Sequence, residues 1–383
     1  MKAIILDISG KVFKYDNALY DAVIKESCNG DELLCLTPYR AVSTLSNSCY
    51  SLYCLVSQEK ANSPGLPKRI TKAVEGVLNY IRLGRIVRNF HPNILHLQWL
   101  PFLEYCGIEY YFLKWLKRIN KNLKLVLTVH NIYPHNFNER QKEVYQKRFI
   151  KVSTLVDRFI LHTKVSGYEL NTEFGVRLDN INVIKHGVFV PESVPKRSRK
   201  ADGKCRLLMF GYQSYYKGTD LLFEAVKNLP VDLQKKITVK IVGRVSAGFL
   251  SKVNESHNNI VWKDTFLSDD ELNEEIINAD VLIYPYRKIS QSGALLLGLS
   301  FGKPIIVSNL PSFVETLAKY PSGMFFEADN ANSLKEAIER YLSFDNAFEC
   351  QLVDILSEIR KDNSWEISAK ETLGLYRELS DIF

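Results

Sequence analysis

The sequence predicts an α/β protein of two doubly wound domains, each a parallel sheet with helices on both faces. Three observations predict it. Short runs rich in Ile, Val and Leu alternate with amphipathic stretches along the chain, as strands buried on both faces alternate with the helices that bury them. The alternation stops over 188–204, a polar, basic, proline-containing stretch with neither period, and then begins again. The 383 residues suffice for two or three domains with cores of their own.

The first strand, 3–6, lies in an apolar run that Asp7 interrupts and that is too short for a signal peptide. Apolar runs at 94–97, 123–128, 158–161 and 182–184 supply the other strands of a first domain, 1–190, and 191–204 is the linker. The second half gives strand 205–210, helix 219–228, strands 238–242 and 260–262, helix 269–278, strand 281–286, helix 292–301 and strand 304–308. These belong to a second domain, 205–362, and a closing segment, 363–383, follows. Ligands of such folds sit outside the carboxyl ends of the strands, so the expected site is a cleft that the two domains face.

Fifty Lys and Arg against 43 Asp and Glu give a net charge of +7, which favours anionic partners without choosing among them. The seven cysteines are odd in number and form no Cys-x-x-Cys pair, which fits a reducing cytoplasm. No window reaches the roughly 18 to 20 uncharged apolar residues that span a bilayer. Neither domain has a Gly-x-Gly-x-x-Gly after its first strand, which disfavours a nucleotide-dependent dehydrogenase. There is no Asp-x-Asp and no cluster with metal-ligand spacing, so no metal cofactor is expected.

The most informative stretch is 207–225, where the buried strand Leu207-Leu208-Met209-Phe210 enters a loop with one lysine, Lys217, and then a helix from Thr219. Unpaired N–H groups, the helix dipole and the lysine charge coincide there, a combination suited to phosphate. The pattern recurs at 281–299, with Arg287 in the loop and Ser292-Gly293 at the helix start. Two such ends suit a diphosphate.

With these residues in place the chain resembles a GT-B glycosyltransferase of the family 4 type, also called group 1. Phe210-Gly211, Lys217-Gly218, Ala279-Asp280-Val281, Ser292-Gly293, Phe301-Gly302-Lys303-Pro304 and Glu315 fall in family order and spacing. In the first half Pro92-Asn93-Ile94-Leu95-His96-Leu97-Gln98-Trp99, Thr128-Val129-His130-Asn131 and Ile184-Lys185-His186-Gly187-Val188 match family landmarks, and the tail resembles the helix that returns to the first domain. The resemblance implies a hexose moved from a UDP- or GDP-sugar to a glycan or lipid-linked acceptor, in the setting of bacterial surface-polysaccharide or lipopolysaccharide assembly. It implies that Gly211, Lys217, Arg287, Ser292, Gly293 and Glu315 contact the donor, with Lys217 and His130 in the catalytic role. Two family glutamates separated by seven residues have Ile289 and Leu297 as their nearest equivalents, and Gln213 stands near the place of an arginine. A retaining outcome is the family default, and an inverting one stays open.

Each candidate has a plainer reading beside it. Lys217 is otherwise a solvated lysine at a helix start, His130 a satisfied interdomain histidine, Arg287 a surface arginine, and Glu315 a carboxylate early in a helix. Asp7, Gly10 and His135 are the acceptor-side candidates, and Gly187 reads as a hinge. The basic, amphipathic stretches 67–82 and 110–118 read either as peripheral contacts to the inner face of the cytoplasmic membrane or as ordinary sheet-covering helices. They form no recognisable reading module, so nucleic acid is not expected as a partner. The alternative to an enzyme is a non-catalytic GT-B protein that binds nucleotide or glycan.

Overall fold

The computed structural model describes residues 1–38, 52–55, 66–134, 137–189, 203–246, 249, 258–289, 292–321, 324–344 and 346–380. They form two compact units, Met1–Gly187 with Trp365–Phe383, and Val188–Ser364. Residues 191–202 of the expected linker and the candidate His135 lie outside the described residues.

Unit 1 is a six-stranded parallel sheet of β1 (Lys2–Leu6), β2 (Glu32–Leu36), β3 (Ile94–Leu97), β4 (Lys124–Thr128), β5 (Arg158–Leu161) and β6 (Ile181–Val183), in the order β2-β1-β3-β4-β5-β6. Its helices are α1 (Phe13–Glu26), α2 (Leu66–Phe90), α3 (Glu109–Ile119), α4 (Glu139–Ser153), α5 (Lys164–Phe174) and α13 (Trp365–Ser380). Strand alternation divides the core. Ile4, Leu6, Leu95, Leu97, Leu125 and Leu127 join Leu83, Leu113 and Phe149 on one side, and Ala3, Ile5, Ile94 and Val126 join Leu19, Leu373 and Tyr376 on the other. The closing helix α13 is therefore a core element of unit 1, although some 180 residues of unit 2 precede it.

Unit 2 holds β7 (Cys205–Phe210), β8 (Ile237–Val242), β9 (Ile260–Lys263), β10 (Val281–Tyr284), β11 (Ile305–Ser308) and β12 (Phe325–Phe326), all parallel, in the order β12-β11-β10-β7-β8-β9. Around them lie α6 (Thr219–Lys227), α7 (Val231–Lys235), α8 (Asp269–Asn278), α9 (Gly293–Ser300), α10 (Pro311–Thr316), α11 (Ala331–Ser343) and α12 (Asn346–Asp362). Two motif residues hold this frame. The Asp280 carboxylate accepts the Arg206 N–H at 2.8 Å, joining the entries of β7 and β10. The buried Lys303 ammonium donates to the carbonyls of Ile277 and Ala279 at 2.6 and 2.8 Å, which caps the negative end of α8.

The sheet order changes direction between β1 and β3 in unit 1 and between β7 and β10 in unit 2. The loops after those four strands are where an open parallel sheet offers backbone donors to a ligand.

Candidate functional site

In unit 2 the candidates follow β7 and β10. Gly211 leaves β7 with φ +99, and Gly218 joins the turn Tyr215–Lys217 to α6 with φ +70. A side chain at Gly218 would also strike the Pro285 carbonyl oxygen, so glycine lets the loop after β7 lie directly on the loop after β10. Lys217 runs back beneath this contact and is only 7 % exposed. Its Nζ is 3.5 Å from the Phe210 carbonyl and 5.0 Å from the Tyr286 ring centroid. Burial pushes its pKa down, but Tyr286 and Tyr216 more than offset that, and it stands above the ordinary lysine value. Lys217 is thus not a solvated lysine. It is a buried ammonium set between the Phe210 carbonyl and Tyr286, an arrangement that favours an anion as partner.

Ser292 is the N-cap of α9, its Oγ accepting the Leu295 N–H at 3.1 Å. Gly293 follows, and among the described residues nothing lies within 4 Å of where its Cβ would be. Arg287 is partly buried and ion-paired. Its guanidinium donates twice to Asp220 at 2.8 Å, to Asp329 at 2.5 Å and to the Tyr215 carbonyl at 2.7 Å, and so brackets the turn that carries Lys217. Glu315 is half-buried on α10. Gln213 is wholly buried, donating to the Gly211 carbonyl at 2.7 Å and accepting from Thr219 at 2.7 Å, so it ties strand ends together. Ile289 and Leu297 pack against the apolar core.

In unit 1 the structure assigns Asp7 to its own turn. Its Oδ1 accepts from the Ser9 N–H, the Ser9 hydroxyl and the Gly10 N–H at 2.9, 2.8 and 3.0 Å, and its Oδ2 accepts from the Val12 N–H at 3.0 Å. Asp7 and Gly10 therefore shape the β1–α1 turn, which presents Lys11, paired with Glu104 at 3.1 Å and set 3.9 Å from the Trp99 ring centroid. Gly187 has a steric reason to be small: a side chain there would enter the Trp365 indole.

His130 follows β4 by two residues and lies inside a cluster that no single stretch of sequence announces. Tyr15 of α1 lies with its ring centroid 4.8 Å from His130, 5.4 Å from His162 and 4.8 Å from His186. His162 is 5.3 Å from both of the other two histidines. Burial holds the four imidazoles neutral, with His96 down at about 3, His162 at about 4, His186 at about 3 and His130 well below its usual value. His130 also lines an open pocket, together with Gln98, Trp99, Glu104, Thr128 and Asn131. Among the described residues no group of three His, Cys, Asp or Glu could hold a metal ion.

Comparison with known proteins accounts for this arrangement. The glycosyl transferases group 1 model matches residues 192–349, and the Glycosyltransferase Family 4 model matches residues 58–190. The chain belongs to the group 1 glycosyltransferases. An uncharacterized glycosyltransferase of Methanocaldococcus jannaschii is 26% identical over 165 residues, 43% of this chain and 46% of that relative. The GDP-mannose:glycolipid 4-beta-D-mannosyltransferase of Xanthomonas campestris pv. campestris is 25% identical over 187 residues, 48% of this chain and 49% of its own. The matches thus span about half the length of these relatives. A glycosyltransferase from Rickettsia africae ESF-5 aligns over 100% of this chain and 99% of its own, with TM-score 0.69 and 18% identity. Anabaena HepE in complex with UDP and glucose aligns over 100% of both chains, with TM-score 0.63 and 14% identity. This glycosyltransferase has the GT-B fold, two units each with a parallel six-stranded sheet.

Proposed function

We propose that this glycosyltransferase moves a hexose from a UDP- or GDP-sugar to a glycan or lipid-linked acceptor in bacterial surface-polysaccharide or lipopolysaccharide assembly, with retention and without a metal ion. The observation that carries the donor half is Lys217, an ammonium buried at the switch point of unit 2 and 3.5 Å from the Phe210 carbonyl. Breaking the anomeric bond leaves negative charge on the nucleoside diphosphate, and a fixed cation with the first turn of α9 stabilises that leaving group. HepE binds UDP and glucose, and the Xanthomonas relative is named for GDP-mannose and a glycolipid. A lipopolysaccharide outer core galactosyltransferase shares the fold, with TM-score 0.59 and 12% identity over 99% of both chains. These support a nucleotide-sugar donor and a lipid-linked acceptor.

The test is calorimetric titration of UDP, GDP, ADP and CDP into the protein, with magnesium and with a chelator, for wild type and Lys217→Ala. The expected result is metal-independent binding of one diphosphate, weakened at least tenfold by the substitution. If no diphosphate binds, the donor reading fails; unchanged affinity in the variant removes Lys217 from the site. The packing of Ile289 and Leu297 into the core favours a second reading, a GT-B protein that binds without turnover. Hydrolysis of the sugar nucleotide in the absence of acceptor decides against it. With a lipid-linked acceptor goes the proposal that the protein works at the inner face of the cytoplasmic membrane, which the exposed apolar residues of α2 support and vesicle cosedimentation tests.

A further inference from the structure

Gln98 is an uncharged residue at the end of β3 with no exposed surface, and its amide lies between two imidazoles. Its Oε1 is 3.3 Å from His130 Nε2, and its Nε2 is 3.2 Å from His96 Nε2. His96 is bound on both sides, with Nε2 2.7 Å from the Thr128 hydroxyl and Nδ1 2.6 Å from the Tyr376 hydroxyl of α13. An amide oxygen only accepts, so the His130 ring nitrogen that meets it is the one that carries the proton. His130 therefore donates from Nε2 to the Gln98 Oε1, while the Gln98 Nε2 lies against the His96 ring, 3.2 Å from its Nε2 and 3.5 Å from its Nδ1.

We propose that Gln98 is the positioning residue of His130, holding it as the Nε2–H tautomer and leaving Nδ1 as the ring's only acceptor. His130 Nδ1 has no hydrogen bond among the described residues, while the ring is held edge-on to Tyr15 at 4.8 Å and stacked 6.4 Å from Trp99. A neutral imidazole so held accepts a hydrogen bond from a sugar hydroxyl or takes its proton, and does neither in the other tautomer. The tautomer follows from the unit 1 geometry alone; its use on a sugar rests on the glycosyl-transfer reading. The groups that face His130 are His96 on β3, His162 after β5, His186 after β6 and Tyr15 on α1, none of them charged at neutral pH. Among the described residues the hydrogen bond that distinguishes the two ring nitrogens is the one to Gln98.

The test begins with two-bond proton–nitrogen NMR spectra of protein labelled with nitrogen-15 histidine, with His130 assigned from His130→Asn. Wild type should show His130 as one Nε2–H tautomer from pH 6 to 8. Gln98→Leu should give a tautomer mixture, and Gln98→Glu, whose carboxylate attracts a proton onto the ring, should make His130 titrate at least one pH unit higher than in wild type. An Nδ1–H tautomer in wild type, or an unchanged one in Gln98→Leu, overturns the proposal. In transfer assays Gln98→Leu should lower kcat at least tenfold and change donor KM less than twofold, and Gln98→Glu should move the acid limb of the pH profile upward. If the protein transfers no sugar, the NMR result still decides the role of Gln98, so the two readings fail separately.

Discussion

Glu109 opens α3 with its carboxyl entirely buried, one oxygen accepting the Phe102 N–H and the other without a partner. Burial raises its pKa from 4.5 to about 7 against the pull of backbone N–H groups and Arg148. Between those values the fold keeps the proton while the unfolded chain has released it, so stability falls as pH rises from about 4.5 to about 7 and is level above. Glu109→Gln keeps the acceptor for Phe102 and removes the penalty. Denaturant unfolding should show it more stable than wild type by about 1–3 kcal/mol at pH 8, with little gain at pH 4.5; an equal gain at both would refute the assignment. Residues differ in how far the sequence reveals them. Lys217 stands out because one lysine sits where helix dipole and strand end coincide. Its burial was not legible, since that depends on Gly218 bringing Pro285 down over it. Gln98 stands in a quoted landmark, yet nothing in its type points to a role, which comes from β3 and β4 placing His96 and His130 on either side of it.

Helix α2 covers the sheet and also carries a second apolar face. A sheet-covering helix needs one apolar face, and α2 has it in Tyr80, Leu83, Ile86 and Val87. The opposite side exposes Ile70, Val74, Val77, Leu78 and Ile81, from 39 to 58 %. Tyr53 and Leu55, held to Asn79 and Glu75 by hydrogen bonds of 2.7 and 2.6 Å, extend that patch. The helix carries six Lys and Arg and one acidic residue, Glu75. A second apolar face in a basic setting suits an anionic lipid surface. Val74→Glu with Val77→Glu should reduce cosedimentation with phosphatidylglycerol-containing vesicles at least tenfold and leave the melting temperature nearly unchanged, because both positions are exposed. Wild-type binding that ignores anionic lipid content would count against this surface. Among the strands, the buried β-branched runs were legible within one or two residues. Strand β2 was not: Glu-Leu-Leu-Cys-Leu has no β-branched residue, lies at the sheet edge and is fixed by its pairing with β1. Strand β12, two residues long, has no pattern to read.

Across the whole molecule the strongest pH response belongs to unit 1. Four histidines are buried neutral there and charge only on unfolding, which favours the unfolded chain as pH falls below 6.5. Asp16 and Glu109, both raised by burial, act in the opposite sense. Four against two leaves a loss of about 3 kcal/mol for each pH unit between roughly 6.5 and 4.5, comparable over that range with the whole stability of a domain. Three of the four tryptophans, Trp99, Trp115 and Trp365, lie in unit 1, and Trp262 lies in unit 2. Acid titration should therefore change tryptophan fluorescence near pH 5 ahead of most of the far-UV signal. Coincident loss of both only below pH 3 would show that the histidines are not held neutral.

The sequence by itself determined the two parallel sheets and the family, and it marked the loops after β7 and β10 as the end expected to take phosphate. Those follow from hydrophobic period and from motifs in which every part lies within about twenty residues, so chain order is already spatial order. Only the tertiary structure decided that Arg287 is an ion-paired bracket, that Asp7 closes its own turn, and that His96, Gln98, His130 and Tyr376 form one hydrogen-bonded line. His96 and Tyr376 are 280 residues apart, and they meet because α13 buries its apolar face on the same side of the unit 1 sheet as Ile94 and Val126. Which side chains share a proton depends on strand register and helix placement, and no local period encodes either.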